Sequence, residues 1–179
     1  MTDFETRFES ELAAVPDEHV DRDRFVPGVG PFDADVMLVG EAPGETEVEE
    51  GEPFVGRAGG LLDSTLNKLG VDRASLYLTN VVKVRPPENR TPRVAEIEAW
   101  LPVLDAEIEA VDPVVVVSLG ATATRALLDT DETMESVHGR RFERDGRTVV
   151  PAYHPAAYFY DRSKRAAFEA DLESAFDLL

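Results

Sequence analysis

Apolar positions along the chain follow two spacings. Phe4, Phe8, Leu12 and Val15 share one face at helical spacing, and Thr2 or Asp3 can cap the segment, so a helix is predicted from Asp3 to Val15. Strands are predicted at Asp35–Val39, at Leu76–Val82, passing through Thr79-Asn80, and at Val114–Leu119, the last a continuous apolar run. Unbroken runs of this kind suit parallel strands covered on both faces. Between them lie helical segments at Ala58–Leu69, closed by Gly70, and at Gly120/Ala121–Leu128. A longer helix is predicted from Thr91, with Pro92 in the N1 place that Pro favours, to about Val111. Phe142–Val150 reads as a hairpin around Asp145-Gly146. A helix from about Ser163 to Leu179 closes the chain, and Arg22–Asp33, with two Pro and two Gly, reads as irregular. Strands alternating with helices predict an α/β fold: a three-layer α/β/α sandwich around a mostly parallel four-stranded sheet. A single domain over residues 1–179 is expected, with residues 1–21 as an N-terminal helix and acidic linker.

The stretch from Val36 to Leu62 organises this pattern. A buried strand ends at Gly40, Glu41 follows at once, and after Pro43-Gly44 an acidic loop leads to Pro53-Phe54-Val55-Gly56. In an open α/β sheet the ligand crevice lies beyond the carboxyl ends of the strands. Three polar groups fall there: Glu41 after the first strand, Asn80 at the end of the second and His154 after the last β segment. Phe54 and Tyr153 are the neighbouring aromatics. Such a set grips a planar heterocycle. A ring offers a stacking face, and an Asn amide pairs one donor and one acceptor with a base edge. A His donates to an oxygen that turns negative as a bond breaks, and a carboxylate orients water. None of these residues is specific alone: an Asn at a strand end or a Phe in a core is ordinary.

Composition narrows the chemistry. The chain has no Cys, which excludes disulfides, zinc–thiolate sites and Cys-held iron–sulfur clusters. No apolar run reaches the ~18–20 residues of a membrane span and no secretory signal is present, so a cytoplasmic protein is expected. The formal net charge is -18, with 36 acids, 18 bases and only three Lys. That acid-rich, Lys-poor composition points to a high-salt cytoplasm and a halophilic archaeon. Three windows run against the acidic trend: residues 80–93, 140–147 and 162–165 hold 11 of the 18 bases and 3 of the 36 acids. An anionic partner such as a phosphate backbone accounts for such windows; pairing with neighbouring carboxylates accounts for them equally well.

Four blocks together resemble the signature motifs of the uracil-DNA glycosylase superfamily: GEAPG (Gly40 to Gly44), GEPFVGRAGGLL (Gly51 to Leu62), LTNVVKVRPPENRTP (Leu78 to Pro92) and YHPAAY (Tyr153 to Tyr158). The resemblance spans about residues 22–178 and is strongest to family 4, the iron–sulfur class. It implies excision of uracil from single- or double-stranded DNA by a monomer that leaves an abasic site. Glu41 then matches the carboxylate that sets up the water, and Ala42 and Pro43 match backbone lining the base pocket. Phe54 matches the stacking Phe, Asn80 the reader of uracil N3–H and O4, and His154 the donor to O2. Glu47 would wall the C5 edge. The segment Pro155–Tyr160, Tyr158 included, resembles the loop that probes the duplex while the nucleotide is flipped out. Lys83, Arg85, Arg90, Arg162, Lys164 and Arg165 are the expected phosphate contacts.

The chain also departs from that pattern. Cluster ligands would fall at Val84, Trp100 and, more loosely, near Ala13 and Pro16; none is Cys, so no cofactor and no metal is expected. Val48 stands where the family usually carries Asp. A glycosylase fold that binds DNA without catalysis, or one acting on another deaminated base such as hypoxanthine, are the competing readings.

Overall fold

The structure is a computed structural model describing residues 2–179. It opens with α1 (Asp3–Arg7), where Thr2 and Glu5 cap each other: Thr2 Oγ1 accepts the Glu5 N–H at 3.2 Å and the Glu5 carboxylate accepts the Thr2 N–H at 2.8 Å. The single helix predicted over Asp3–Val15 is two short ones. The backbone leaves helical geometry at Phe8 (φ -110°, ψ 27°) before α2 (Glu9–Ala14). That break lets the buried Phe4 and Phe8 rings pack 4.8 Å apart, against Phe25 and Phe32 respectively.

The strands and helices then alternate. β1 (Val36–Gly40) is buried throughout. The acidic loop after it contains an unpredicted helix, α3 (Glu45–Glu50), whose Glu47 side chain accepts the Gly44 N–H at its own start. α4 (Arg57–Leu69) and β2 (Tyr77–Asn80) follow. α5 (Val94–Val111) begins three residues later than predicted. Arg93 is still extended (ψ 159°), and the Glu96 carboxylate takes its N–H at 2.7 Å, so Pro92 precedes the cap instead of opening the helix. β3 (Val115–Leu119), α6 (Ala121–Leu128), α7 (Met134–Val137), β4 (Phe142–Arg144), β5 (Arg147–Ala152) and α8 (Lys164–Phe176) complete the chain.

The sheet has five strands, not the predicted four, in the order β2-β1-β3-β5-β4. β2, β1, β3 and β5 are parallel; β4 adds an antiparallel edge, pairing Phe142 with Val149 and Arg144 with Arg147. The predicted hairpin is correct, but its first arm joins the sheet as a strand in its own right. Helices cover both faces. Met37, Val39, Val116 and Val149 pack towards α5, α6 and the N-terminal helices. Val36, Leu38, Val115, Val117 and Val150 pack towards Leu62 and Leu66 of α4 and Phe168 and Leu172 of α8. Each fully buried aliphatic side chain contributes roughly 1.5–3 kcal/mol. Among the described residues no helix is long and apolar enough to cross a membrane.

A charged cluster sits inside this core. Lys83 and Glu107 are both fully buried and form an ion pair. Tyr77 Oη and Thr79 Oγ1 donate to Glu107 Oε1 at 3.1 and 2.8 Å. Lys83 Nζ donates to Thr79 Oγ1 at 2.9 Å and to the carbonyl of Asn80. Burial pushes the Lys83 pKa down and the Glu107 pKa up, while their mutual attraction opposes both shifts. Removing one partner leaves the other charge buried and alone. Lys83→Met is therefore expected to lower stability by about 3–5 kcal/mol in urea unfolding. Lys83→Met combined with Glu107→Gln should recover part of that loss.

Candidate functional site

Parallel pairing brings the strand ends into line. Gly40 lies in register with Asn80, and Leu119 with Ala152. Past the strands, the N–H of Val81 donates to Gly40 O (2.9 Å) and that of Val82 to Glu41 O (3.0 Å), which fixes the main chain of Glu41 against the end of β2. Two glycines make room for what gathers here. A Cβ on Gly40 would lie 2.4 Å from Asn80 Oδ1 and 2.7 Å from Phe54 Cζ, so only a hydrogen lets that amide and ring meet. Gly120 holds φ +90° and would place a Cβ 3.1 Å from the Cβ of His154. Phe54 itself has φ 57°, an unfavourable backbone for an aromatic residue and of the kind that concentrates at functional sites.

The result is a cavity of about 380 Å³. Glu41, Ala42, Pro43, Glu47, Phe54, Asn80 and His154 line it, whereas Tyr153, the second aromatic expected beside them, does not and packs against His138 instead. Asn80 is almost wholly buried, with its side chain beside Gly40, and the Phe54 and His154 rings lie 6.3 Å apart, tilted by 37°. Glu47 faces the cavity while its Oε2 accepts the Gly44 N–H at 3.1 Å, so it also holds the loop that carries Ala42 and Pro43. Thr122, Gly120 and Asn89 also line the wall. These three did not stand out in the sequence: Gly120 reads there only as a helix opening, and nothing near Thr122 marks it. Its partner is remote in the chain, since Thr122 Oγ1 donates to Glu41 Oε2.

The state of His154 follows from its contacts. Nδ1 accepts the N–H of Ala156 at 3.1 Å, which leaves the proton of the neutral ring on Nε2. The ring opens partly onto the cavity, but the protein packed round it removes enough water to lower its pKa to about 4. A neutral imidazole with Nε2–H as donor is thus the resting form.

The expected phosphate contacts divide. Lys83 is not among them: it is buried beneath Asn80 and paired with Glu107, because the residues after β2 turn inwards. Arg90 lines the cavity but is held by two bonds to Glu96, at 2.7 and 2.8 Å. Arg85 lies 3.8 Å from Glu45, and Arg165 pairs with Glu169 at 3.2 Å. Lys164 donates to Tyr153 Oη at 3.3 Å. Arg162 is exposed and makes no ion pair among the described residues. In the segment after His154, Tyr158 is partly buried under Arg165, Phe159 is exposed with the Arg57 guanidinium over its ring, and Tyr160 is 93% exposed.

Of the positions expected to bear cluster ligands, Trp100 and the half-buried Val84 pack on Phe25, whereas Ala13 and Pro16 are exposed. Trp100 is buried, stacks on Phe25 (6.1 Å, 28°) and donates its indole N–H to the carbonyl of His19 at 3.2 Å. Val84 bridges to the same Phe25. With no thiolate in the chain, these residues do not fit a Cys-held iron–sulfur cluster. No group of three or more His, Asp or Glu side chains close enough to hold a metal occurs among the described residues.

Sheet and cavity together define an open-sheet α/β protein with its ligand crevice beyond the carboxyl ends of the parallel strands. Residues 27–177 match the family profile of the Uracil DNA glycosylase superfamily, and the chain belongs to that superfamily. It is 41% identical over 168 residues to a type-4 uracil-DNA glycosylase of Pyrobaculum aerophilum, covering 88% of this chain and 85% of that protein. Similar matches are the type-4 enzymes of Archaeoglobus fulgidus (39% identity; 90% and 85% covered) and Thermotoga maritima (41%; 88% and 84%).

Because the folded pKa of His154 lies below the ordinary 6.5, the ring stays neutral as pH falls from 6.5 towards about 4. The unfolded chain takes up that proton first, so this residue's contribution to stability is full above 6.5 and is lost on the way down to 4. Nitrogen chemical shifts of the imidazole, followed by NMR against pH, are expected to show the Nε2–H tautomer through that window.

Proposed function

We propose that the protein removes uracil from DNA by hydrolysing the N-glycosidic bond of deoxyuridine, leaving an abasic site. The observation that carries this reading is the meeting of Glu41, Phe54, Asn80 and His154 in one cavity, in a chain of this superfamily. Groups that line a cavity cannot reach a base stacked inside a duplex, so the nucleotide enters flipped out. Phe54 offers its face to the ring. The Asn80 amide accepts from N3–H and donates to O4; cytosine presents an amino donor where O4 would be and is refused.

As the bond from C1′ to N1 breaks, its electron pair moves onto the base and charge gathers at O2. The Nε2–H of His154 is the donor aimed at that charge. A neutral donor suits this step, since it need not give up its proton to a weakly basic anion. Glu41 orients a water towards the cationic sugar; oxygen bonds to C1′ and the carboxylate draws off the proton. Lys83 is the only lysine in these motifs and lies buried and paired, so no amine is offered to C1′. Hydrolysis without strand cleavage follows. The packing of Trp100, Phe25 and Val84 supports an enzyme that works without the cluster of its family.

Purified protein in high KCl, given an oligonucleotide with one dU and then alkali, is expected to cut at the U. Glu41→Gln and His154→Ala should each reduce excision by roughly 10²-fold or more. Asn80→Ala, assayed on U and hypoxanthine, tests whether the amide sets the choice of base. Folded wild type that binds uracil-DNA without cutting it would instead support a non-catalytic member of the fold.

The ionic-strength dependence should be shallow. Phosphate contacts give binding a steep salt slope, yet Lys83 is buried and Arg90 and Arg165 are engaged by carboxylates. Stacking and base contacts then carry most of the affinity, as a protein working in a salt-rich cytoplasm requires. Excision measured across a KCl series is expected to fall far less than for a strongly basic DNA-binding enzyme.

A further inference from the structure

We propose that Thr122 is a positioning residue for excision: its hydroxyl holds the Glu41 carboxylate so that one oxygen stays turned to the water. The inference rests on the reading of Glu41 given above.

Glu41 ends no regular element and its side chain has several free torsions. Its main chain is tied to the segment after β2, but that leaves the carboxylate itself unplaced. Among the described residues, Thr122 is its hydrogen-bond donor and no Lys, Arg or His pairs with it. The donor is well suited. Thr122 is the second residue of α6, so the residue four positions back, Ser118, belongs to β3 and offers no helical carbonyl. The hydroxyl is therefore available to point outwards. A β-branched side chain is also stiff about χ1, so it fixes what it binds. An ionised carboxylate only accepts; the bond to Oε2 leaves Oε1 for the water.

The same turn reaches the other side of the cavity. Gly120 lies against His154, and its N–H donates to Ala152 O at 2.8 Å, on the strand that leads to His154. The segment Gly120-Ala121-Thr122 thus touches both residues expected to act on the bond. It sets where Glu41 stands relative to His154, and hence where water stands relative to the departing base. The fold does not need this bond, because β1 and β3 are already paired along Val36–Val39.

Single-turnover excision of uracil from a dU oligonucleotide tests the role, with Thr122→Val and Thr122→Ser in wild-type and Glu41→Gln backgrounds. Thr122→Val keeps the shape and removes the hydroxyl. It should slow the chemical step about 10- to 100-fold while binding of uracil-DNA and the melting temperature stay at wild-type values. Thr122→Ser should restore the rate. In the Glu41→Gln background, Thr122→Val should cost nothing more, since the group it acts through is gone. Thr122→Val at the wild-type rate, or with the same cost in both backgrounds, overturns the proposal while the glycosylase reading stands. Wild-type protein that excises no uracil overturns that reading and this inference with it.

Discussion

The parallel pairing of β1 between β2 and β3 is the constraint on which the rest of the structure depends. Parallel strands all end on one edge of a sheet, so residues far apart in the chain arrive there together. Gly40 beside Asn80 and Leu119 beside Ala152 are consequences of register. A one-residue slip of β1 would move its entire side-chain set to the other face. It would carry Glu41 away from Thr122 as well. Burial on both faces makes that slip costly, because Met37, Leu38 and Val39 are all fully enclosed. The core therefore does more than hold the fold: it fixes the alignment of the cavity.

Much of this was legible in the sequence because the signals were local. An apolar run bounded by Gly or Asp marks each central strand, and Gly70 marks the end of α4 where the chain turns left-handed. Glu41, Phe54, Asn80 and His154 were legible because polar and aromatic groups at strand ends have little structural purpose there, whereas Ala42, Pro43 and Glu47 came only through the resemblance of motifs. What stayed hidden depends on partners remote in the chain. The break at Phe8 answers to Phe25 and Phe32. The delayed start of α5 follows from the Glu96 carboxylate capping Arg93 while also gripping Arg90. The edge strand β4 exists because β5 offers it a ladder. Thr122 is visible only once α6 is packed beside β1.

The basic windows show how charge is used on this acidic chain. Arg144 bonds Asp105 and Arg147 bonds Asp112, both at distances under 3 Å, and so fasten the β4–β5 hairpin to α5 and its end. Arg90 and Glu96 brace the loop that approaches the cavity; the bonds from Arg90 and the Arg93 N–H hold the Glu96 carboxylate at a pKa of about 2. Exposed pairs of this kind add little stability singly. Their effect is geometric, since each joins segments that the sheet does not. Carboxylate pairing accounts for most of the basic residues in these windows; among the described residues Arg93, Arg141 and Arg162 make no ion pair.

The N-terminal segment is held by hydrogen bonding and aromatic packing, with no thiolate to ligate a cluster. Trp100 ties the carbonyl of His19 to α5, and Phe25 lies between Trp100 and Val84. Arg24 Nη2 donates to Pro86 O at 2.8 Å, and the Val26 N–H donates to Lys83 O at 2.8 Å. These contacts converge on the stretch from Lys83 to Pro86. Lys83 in turn donates to the carbonyl of Asn80, and Pro86 lines the cavity. The segment before residue 27 is thus one residue removed from the amide in the pocket. A tether here does not need to take part in the reaction to matter for it. It need only keep β2 and the following loop from drifting, and the stacking of Phe25 on the buried Trp100 contributes to that. Loosening this corner would be felt first at Asn80, as poorer recognition of the base, and only afterwards at Glu41 and His154, which the strands hold from the other side.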